Sequence, residues 1–422
     1  MKRRWIAGAA GLAALFLGAK LYAAPDNYDA VERGRYLVTV GDCVACHLVQ
    51  GTAVGNVPTG GSAFAGGRAI ETPFGNILAA NITPDRETGI GSWSEDQFYR
   101  AMHHGVRANG DRLYPAFPYN YYTRVTREDS NAIYAFLRTL EPVRNAVDRN
   151  ALPFPLDIRA AMIGWNMLFF EPGEYRPDPA RSAEFNRGAY LVEGLGHCGA
   201  CHTPKNRLGG DRDSLHLAGG PIQGWYAPSI TGDERTGIGA WSVEEIVQYL
   251  REGRNTRSAA SGPMAEVVQY STSLMTEADL RAMAVYLREQ PRRAAPAAPP
   301  AALAADDSRM RAGEALYLDR CMACHRRDGA GVPGIFPRLA GSQVVQQDGT
   351  ETVLRVVLQG TRAAYSPHAP TSPAMPAFGW RMDDAQVAAV TTYIRNAWGN
   401  AASPPTTDDA RRMRERLSDR VE

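Results

Sequence analysis

The 422-residue sequence contains six cysteines, and all six fall in three copies of one short pattern. These are Cys43-Val44-Ala45-Cys46-His47, Cys198-Gly199-Ala200-Cys201-His202 and Cys321-Met322-Ala323-Cys324-His325. Two thiols three positions apart can each form a thioether with one vinyl group of a haem. The histidine that follows then lies under the iron as proximal ligand, imidazole being a good iron ligand. A redox dithiol would sit in a βαβ context, which the sequence lacks, and zinc would require two such pairs converging or additional histidines. Neither explains why a histidine follows the second cysteine each time. The motifs therefore predict three covalent haem c groups. Cys43, Cys46, Cys198, Cys201, Cys321 and Cys324 are the attachment points, and His47, His202 and His325 are axial ligands to iron.

The elements that must position these motifs are partly legible. "TPDRETGIGSW" (Thr83–Trp93) matches "TGDERTGIGAW" (Thr231–Trp241), and each lies downstream of one motif. The first two units are therefore duplicates. Opening helices are expected at Ala30–Val40 and Ala183–Gly194, and closing helices at Arg127–Leu140 and Thr276–Leu287. Thr276, with Asp279 three residues on, resembles a capping box. The third unit has a different texture, with "FPRLAGS" after its motif and a helix expected over Asp383–Trp398. The fold expected is all-α, three class I cytochrome c-like helical domains in tandem: residues 26–150, 181–290 and 308–400.

Residues 151–180 are rich in apolar and aromatic side chains and are expected to clamp the first two domains together as buried interdomain core, a partner-binding patch being the alternative. Residues 291–307 form a Pro/Ala linker. In the polar tail, 401–422, Met413, Leu417 and Val421 fall four apart, which allows a basic helix lying on a membrane or a partner, or a solvated end. Residues 1–24 read as a signal peptide: a basic start, a short apolar run Ile6–Ala19 and small residues at Ala23 and Ala24. That run falls short of the roughly 20 residues of a membrane span, a retained anchor being the alternative. Covalent haem attachment takes place outside the cytoplasmic membrane, so a periplasmic location is expected. The net charge of +1 gives no pull toward nucleic acid.

A second axial ligand is needed on each open haem face. Met264 in "SGPMAEVV" and Met375 in "SPAMPAFG" sit in loops stiffened by proline, and thioether ligation raises the haem potential and suits fast electron transfer. The first unit departs from this. Gly253 to Met264 is 11 residues and Gly105 to Phe117 is 12, so Phe117, which cannot bind iron, takes the ligand slot. Haem 1 is then either open to water or bound by Met102, His103 or His104, with Met102 expected to face inward and the histidines outward.

With the three motifs, "LYPA-PY", "GWNMLFF", "GWYAPSITGDERTGIGAWS" and "GPMAEVVQYSTSLMTEADLRAMAVYL", nearly the whole chain after residue 24 resembles the three-haem cytochrome c subunits of membrane-bound periplasmic dehydrogenases. The resemblance implies a separate catalytic subunit carrying a flavin, quinone or molybdenum cofactor. It also implies delivery of electrons to ubiquinone or a terminal oxidase, and peripheral attachment at the outer face of the cytoplasmic membrane. That family usually shows methionine where this chain has Phe117, and the Phe form looks more like cytochromes that accompany molybdenum hydroxylases. No acid–base or nucleotide-binding constellation is evident, so the chain is not expected to act on an organic substrate alone. The rival reading is a haem enzyme, peroxidase-like or gas-binding, built on an open haem 1; a peroxidase would use His103 or His104 as its distal acid–base group.

Overall fold

The computed structural model describes residues 27–49, 60–147, 152–291 and 300–418. The expected signal segment, the middle of the Pro/Ala linker and Val421 lie outside them. The first part runs α1 (Asn27–Val40), α2 (Cys43–His47), β1 (Ala69–Thr72), β2 (Gly75–Leu78), α3 (Glu95–His104), α4 (Tyr119–Tyr122) and α5 (Arg127–Leu137). A connecting helix, α6 (Ala161–Phe169), leads to α7 (Ala183–Tyr190), α8 (Gly199–His202), β3 (Gly220–Ile222), β4 (Trp225–Ala227), α9 (Val243–Glu252), α10 (Pro263–Tyr270) and α11 (Glu277–Arg288). The last part is α12 (Ser308–Arg320), α13 (Met322–His325), α14 (Glu351–Gln359), β5 (Thr361–Arg362), β6 (Ala374–Met375), α15 (Asp384–Asn396) and α16 (Thr407–Ser418). The protein is mostly helical, as expected. Not expected were three antiparallel hairpins, β1–β2, β3–β4 and β5–β6, whose strands of two to four residues are too short to leave a periodic signal.

Each attachment motif follows a helix that a later helix crosses: α1 by α5, α7 by α11 and α12 by α15. A glycine lies at each crossing. A Cβ on Gly34 would come 1.9 Å from the Ala132 carbonyl oxygen, on Gly188 1.9 Å from that of Ala282, and on Gly313 2.2 Å from that of Ala389. No side chain fits at those distances, so glycine is what lets the helices meet so closely. The crossing helices start on side-chain caps: Thr126 for α5, Thr276 for α11 and Asp383 for α15. Thr276 does not complete a capping box, because the Asp279 carboxylate turns away to accept hydrogen bonds from Arg187 (2.8 Å to both oxygens) and Tyr36 (2.6 Å).

That last bond joins the first two units and has a mirror partner. Tyr36 of α1 donates to Asp279 of α11, and Tyr190 of α7 donates to Asp129 of α5 at 2.5 Å, where Arg33 also donates at 2.6 Å. Each tyrosine oxygen further accepts from the N-cap amide of the other unit's crossing helix, Thr276 or Thr126. The interface is thus self-complementary, as when two like surfaces meet about a twofold axis. One continuous core, including Leu37, Val125, Ile133, Leu191, Leu195 and Leu280, runs through both units.

The third part has its own core and docks on the second through β4 and the α9–α10 loop. Thr352 donates to the Tyr226 carbonyl (3.1 Å), Arg355 stacks on Trp225 (4.6 Å) and Ala364 N–H reaches the Ala260 carbonyl (3.2 Å). Among its described residues the C-terminal tail does not present a free apolar face. Met413 and Leu417 of α16 are buried in the third core, and Arg414 ties the helix to Asp384 and the Met382 carbonyl, both at 2.7 Å. Helix α6 departs from expectation in the other direction. It touches loops of both units, yet none of its residues is buried, so it is not interdomain core.

Candidate haem sites

The three attachment motifs fold alike: a short helix ending on the histidine, at the end of a longer helix. His47 Nδ1 lies 2.6 Å from the Ala80 carbonyl, His202 Nδ1 2.7 Å from that of Pro228, and His325 Nδ1 3.0 Å from that of Pro337. A carbonyl can only accept, so each Nδ1 carries the proton and Nε2 keeps its lone pair. Burial holds all three imidazoles below the usual histidine pKa, outweighing the carbonyl bond that favours the cation. A neutral ring with a free Nε2 is the species that binds iron. The six thiols are unpaired. Burial pushes Cys43 and Cys198 up to about 12 and Cys321 up to about 11, so these sulfurs are protonated at neutral pH. A thiol S–H is what adds across a vinyl double bond. The donor set and its tautomers therefore fit covalent haem at each motif.

The first two motifs adjoin across the twofold-like interface. The Tyr121 ring lies where a side chain on Gly199 would go, and Tyr122 meets His197, the residue before Cys198, at 5.5 Å between ring centres.

Met264 stands at the start of α10 directly after Pro263, half-buried beside a small cluster of Ala260, Val268 and Ala364. Met375 lies on β6, paired with Thr361 of β5, and packs half-buried on the third core. The duplicated loops can be aligned by their hydrogen bonds. Helices α3 and α9 both open on capping boxes, Ser94 with Gln97 and Ser242 with Glu245, and both close on left-handed glycines, Gly105 and Gly253. Leu113 N–H then bonds the Gly105 carbonyl at 2.8 Å, and Ala260 N–H bonds that of Gly253 at 2.7 Å. Four residues further on stand Phe117 and Met264. The extra residue of the first loop lies before that shared point. Phe117 meets Tyr122 edge to face, 5.2 Å between ring centres.

Of the other candidates around haem 1, Met102 is buried in the core and His104 is exposed, as expected. His103 is not outward: it is 2% exposed, stacked on Tyr99 at 4.0 Å and bonded to the backbone of Val125. Arg127 and Glu174 close over the same spot, Arg127 above the Tyr99 ring and Glu174 accepting from its hydroxyl. Burial lowers the His103 pKa to about 4, and its Nε2 has no partner. The equivalent residue in the second unit, Arg251, points at Glu277 at the start of α11. The same direction in the first unit leads to Arg127 at the start of α5, which explains the burial of His103. Sequence reading missed the carbonyls that orient the histidines. Pro337, twelve residues after His325, offers a faint signal; Ala80 offers none.

Comparison with known proteins agrees with this chemistry. Residues 310–398 match the cytochrome c family model. The chain is 40% identical to the gluconate 2-dehydrogenase cytochrome c subunit of Pantoea cypripedii, over 93% of this chain and 92% of that protein. It is 37% identical to the cytochrome c subunit of the quinone-type alcohol dehydrogenase of Gluconacetobacter polyoxogenes, over 93% and 86% of the two chains. The fructose dehydrogenase cytochrome subunit of Gluconobacter japonicus is 36% identical, over 91% of this chain and 82% of that protein. This chain belongs to the family of dehydrogenase cytochrome c subunits.

Proposed function

We propose that the chain relays electrons from a periplasmic dehydrogenase catalytic subunit to ubiquinone or a terminal oxidase through three haem c groups, one in each of three cytochrome c-like domains. The observation that carries this reading is the threefold repetition of one device: a C-x-x-C-H helix whose histidine Nδ1 is held by a backbone carbonyl. Haem iron supplies reversible one-electron chemistry. Cys43 and Cys46, Cys198 and Cys201, and Cys321 and Cys324 would anchor the groups, and His47, His202 and His325 would bind iron through Nε2. The carbonyls of Ala80, Pro228 and Pro337 fix each ring and strengthen it as a donor. Met264 and Met375 would each offer a thioether to the second and third haems, a ligand that suits electron transfer. Phe117 leaves the first site without a loop ligand.

The role of the catalytic partner follows from this chemistry. It removes two electrons from an organic substrate and passes them on singly. Among the described residues no helix is long and apolar enough to cross a membrane. The proposed location is the outer face of the cytoplasmic membrane. Purification of the native complex, identification of its large subunit and substrate-driven reduction of this chain test the reading. Reduction of the isolated chain by an alcohol, sugar acid or aldehyde would contradict it.

A further inference from the structure

Three matched positions differ in kind between the duplicated units. Tyr36-Leu37-Val38 is followed by Thr39, and Tyr190-Leu191-Val192 by Glu193. The carbonyls of Phe64 and Leu217 accept from the matched amides of Ile82 and Ile230, and the residues just before them are Ala63 and His216. A Cβ on Gly34 would meet Phe136 at 2.9 Å, and one on Gly188 would meet Tyr286 at 2.8 Å. The first unit thus has threonine, alanine and phenylalanine where the second has an acid, a base and a phenol. In the second unit the three come together. His216 Nε2 lies 2.8 Å from a Glu193 carboxylate oxygen, and the Tyr286 hydroxyl donates to that same oxygen at 2.7 Å. A carboxylate only accepts, so Nε2 carries a proton.

The cluster adjoins the second attachment motif on both sides. Glu193 stands five residues before Cys198, and His216 Nδ1 lies 3.4 Å from the hydroxyl of Thr203, the residue after His202. That hydroxyl accepts from the Leu217 N–H at 3.0 Å and can turn its own proton toward His216 or toward the Tyr121 oxygen. Neutral His216 accepts there and its cation donates, so both forms are satisfied. The Glu193 and His216 side chains each keep 23% of their surface, so protons exchange with solvent. Burial, then the Glu193 charge, holds the Tyr286 hydroxyl above its usual value. The other titratable groups facing Glu193 are Tyr121 of α4, Tyr175 ahead of α7 and the Cys198 thiol, all held above their usual values first by burial. On the far side of His216 the Asp213 carbonyl accepts its amide, and the Asp213 side chain is exposed. His216 and Glu193 are therefore the exchanging pair.

Histidine changes charge between about pH 5 and 8, and a positive charge nearby opposes its protonation. Haem iron carries one positive charge less when ferrous than when ferric. We propose that His216, held by Glu193, takes up a proton at Nδ1 when the haem on Cys198 and Cys201 gains an electron, and releases it when the electron leaves. The proton comes from water and the electron from the catalytic subunit of the electron-transfer reading above, on which the proposal rests. The first unit, with Thr39, Ala63 and Phe136, has no ionisable side chain at these positions.

The test uses the full-length haem-loaded chain, reduced at an electrode in weakly buffered solution with a pH indicator, from about pH 5 to about pH 9. Reduction should tighten proton binding at least threefold. One of the three potentials then falls by at least about 28 mV across this range, a tenfold change being about 59 mV for one electron, and uptake reaches about a quarter of a proton per chain. His216→Gln keeps a neutral N–H toward Glu193. It should retain the haem content, reduced spectrum and melting temperature of the parent but lose that uptake and that slope. Glu193→Gln should move the pH of greatest uptake downward, since a carboxylate favours the histidine cation. Uptake and slope unchanged in His216→Gln overturn the proposal and leave the electron-transfer reading in place. Should His216→Gln lose haem, Glu193→Gln decides, and an unmoved uptake profile overturns the proposal. A chain that shows His216-dependent uptake at the electrode, but is not reduced by its copurified catalytic subunit with substrate, overturns the electron-transfer reading alone.

Discussion

Phe117→Met puts a thioether where the second unit has Met264, because the two residues stand at the same distance from matched backbone hydrogen bonds. The structural cost is small. Losing the edge contact with Tyr122 forgoes about 0.5–1.5 kcal/mol, and a Phe-to-Met exchange that conserves shape costs less than about 1.5 kcal/mol. The variant should therefore fold and load its haems. The native reduced protein should bind one carbon monoxide per chain, at the one site of three without a loop methionine. The variant should bind none. The potential of the first haem should rise, since thioether favours ferrous iron, and each ~1.4 kcal/mol of that preference is about 59 mV in a one-electron titration. Carbon monoxide titration and spectroelectrochemistry on both proteins read this out. A native protein that binds none, or a variant that still binds one, would show that another side chain holds the sixth position and that the register argument is wrong.

Gly188→Ala should lower the melting temperature. Its Cβ would stand 1.9 Å from the Ala282 carbonyl, and forcing the helices apart costs about 1–3 kcal/mol, more than the ~1 kcal/mol that alanine gains over glycine in a helix. Met264→Ala and Met375→Ala should each remove one thioether–iron absorption signature and lower one potential, leaving the covalent haem count unchanged. Asp279→Asn should destabilise the interface of the first two units by about 1–2 kcal/mol, since it replaces charged hydrogen bonds to a partly exposed Arg187 by neutral ones. Burial works to raise the Asp279 carboxyl, but the hydrogen bonds from Arg187 and Tyr36 hold it below its usual value. Its contribution is thus present above the unfolded carboxylate pKa and lost as pH falls through the lower folded one. Acid unfolding followed by circular dichroism should lose that increment in the variant.

The candidate attachment motifs could be picked out because their chemistry is local: thiols and imidazole within five residues of chain. The loop methionines are proposed from proline and from the repeat, and the register of Phe117 follows from the duplicated "TGIG" segment, which folds on the same Asp–Thr bonds in both copies, Asp85 with Thr88 and Asp233 with Thr236. Long-range features were not. The fit of Gly34, Gly188 and Gly313 appears only when the crossing helix is in place. The exchange of Tyr36 and Tyr190 between units depends on a twofold-like docking that no local pattern encodes. His103 was misplaced because helical periodicity says which side faces the core but not that Tyr99, Arg127 and Glu174 cover the neighbouring side. The α6 segment was misread for a related reason: apolar composition predicts burial, and no residue of α6 is buried.

Three covalent haems reduced through a separate dehydrogenase subunit is the central claim, and one experiment addresses it directly. The full-length chain, matured in an exporting host, is assayed by pyridine haemochrome against protein mass, then mixed with its copurified catalytic subunit and substrate in a stopped-flow spectrometer. The account predicts three haem c per chain, all three reduced with substrate and none without the catalytic partner. Two haems or fewer in fully matured protein, or reduction by substrate alone, would contradict it.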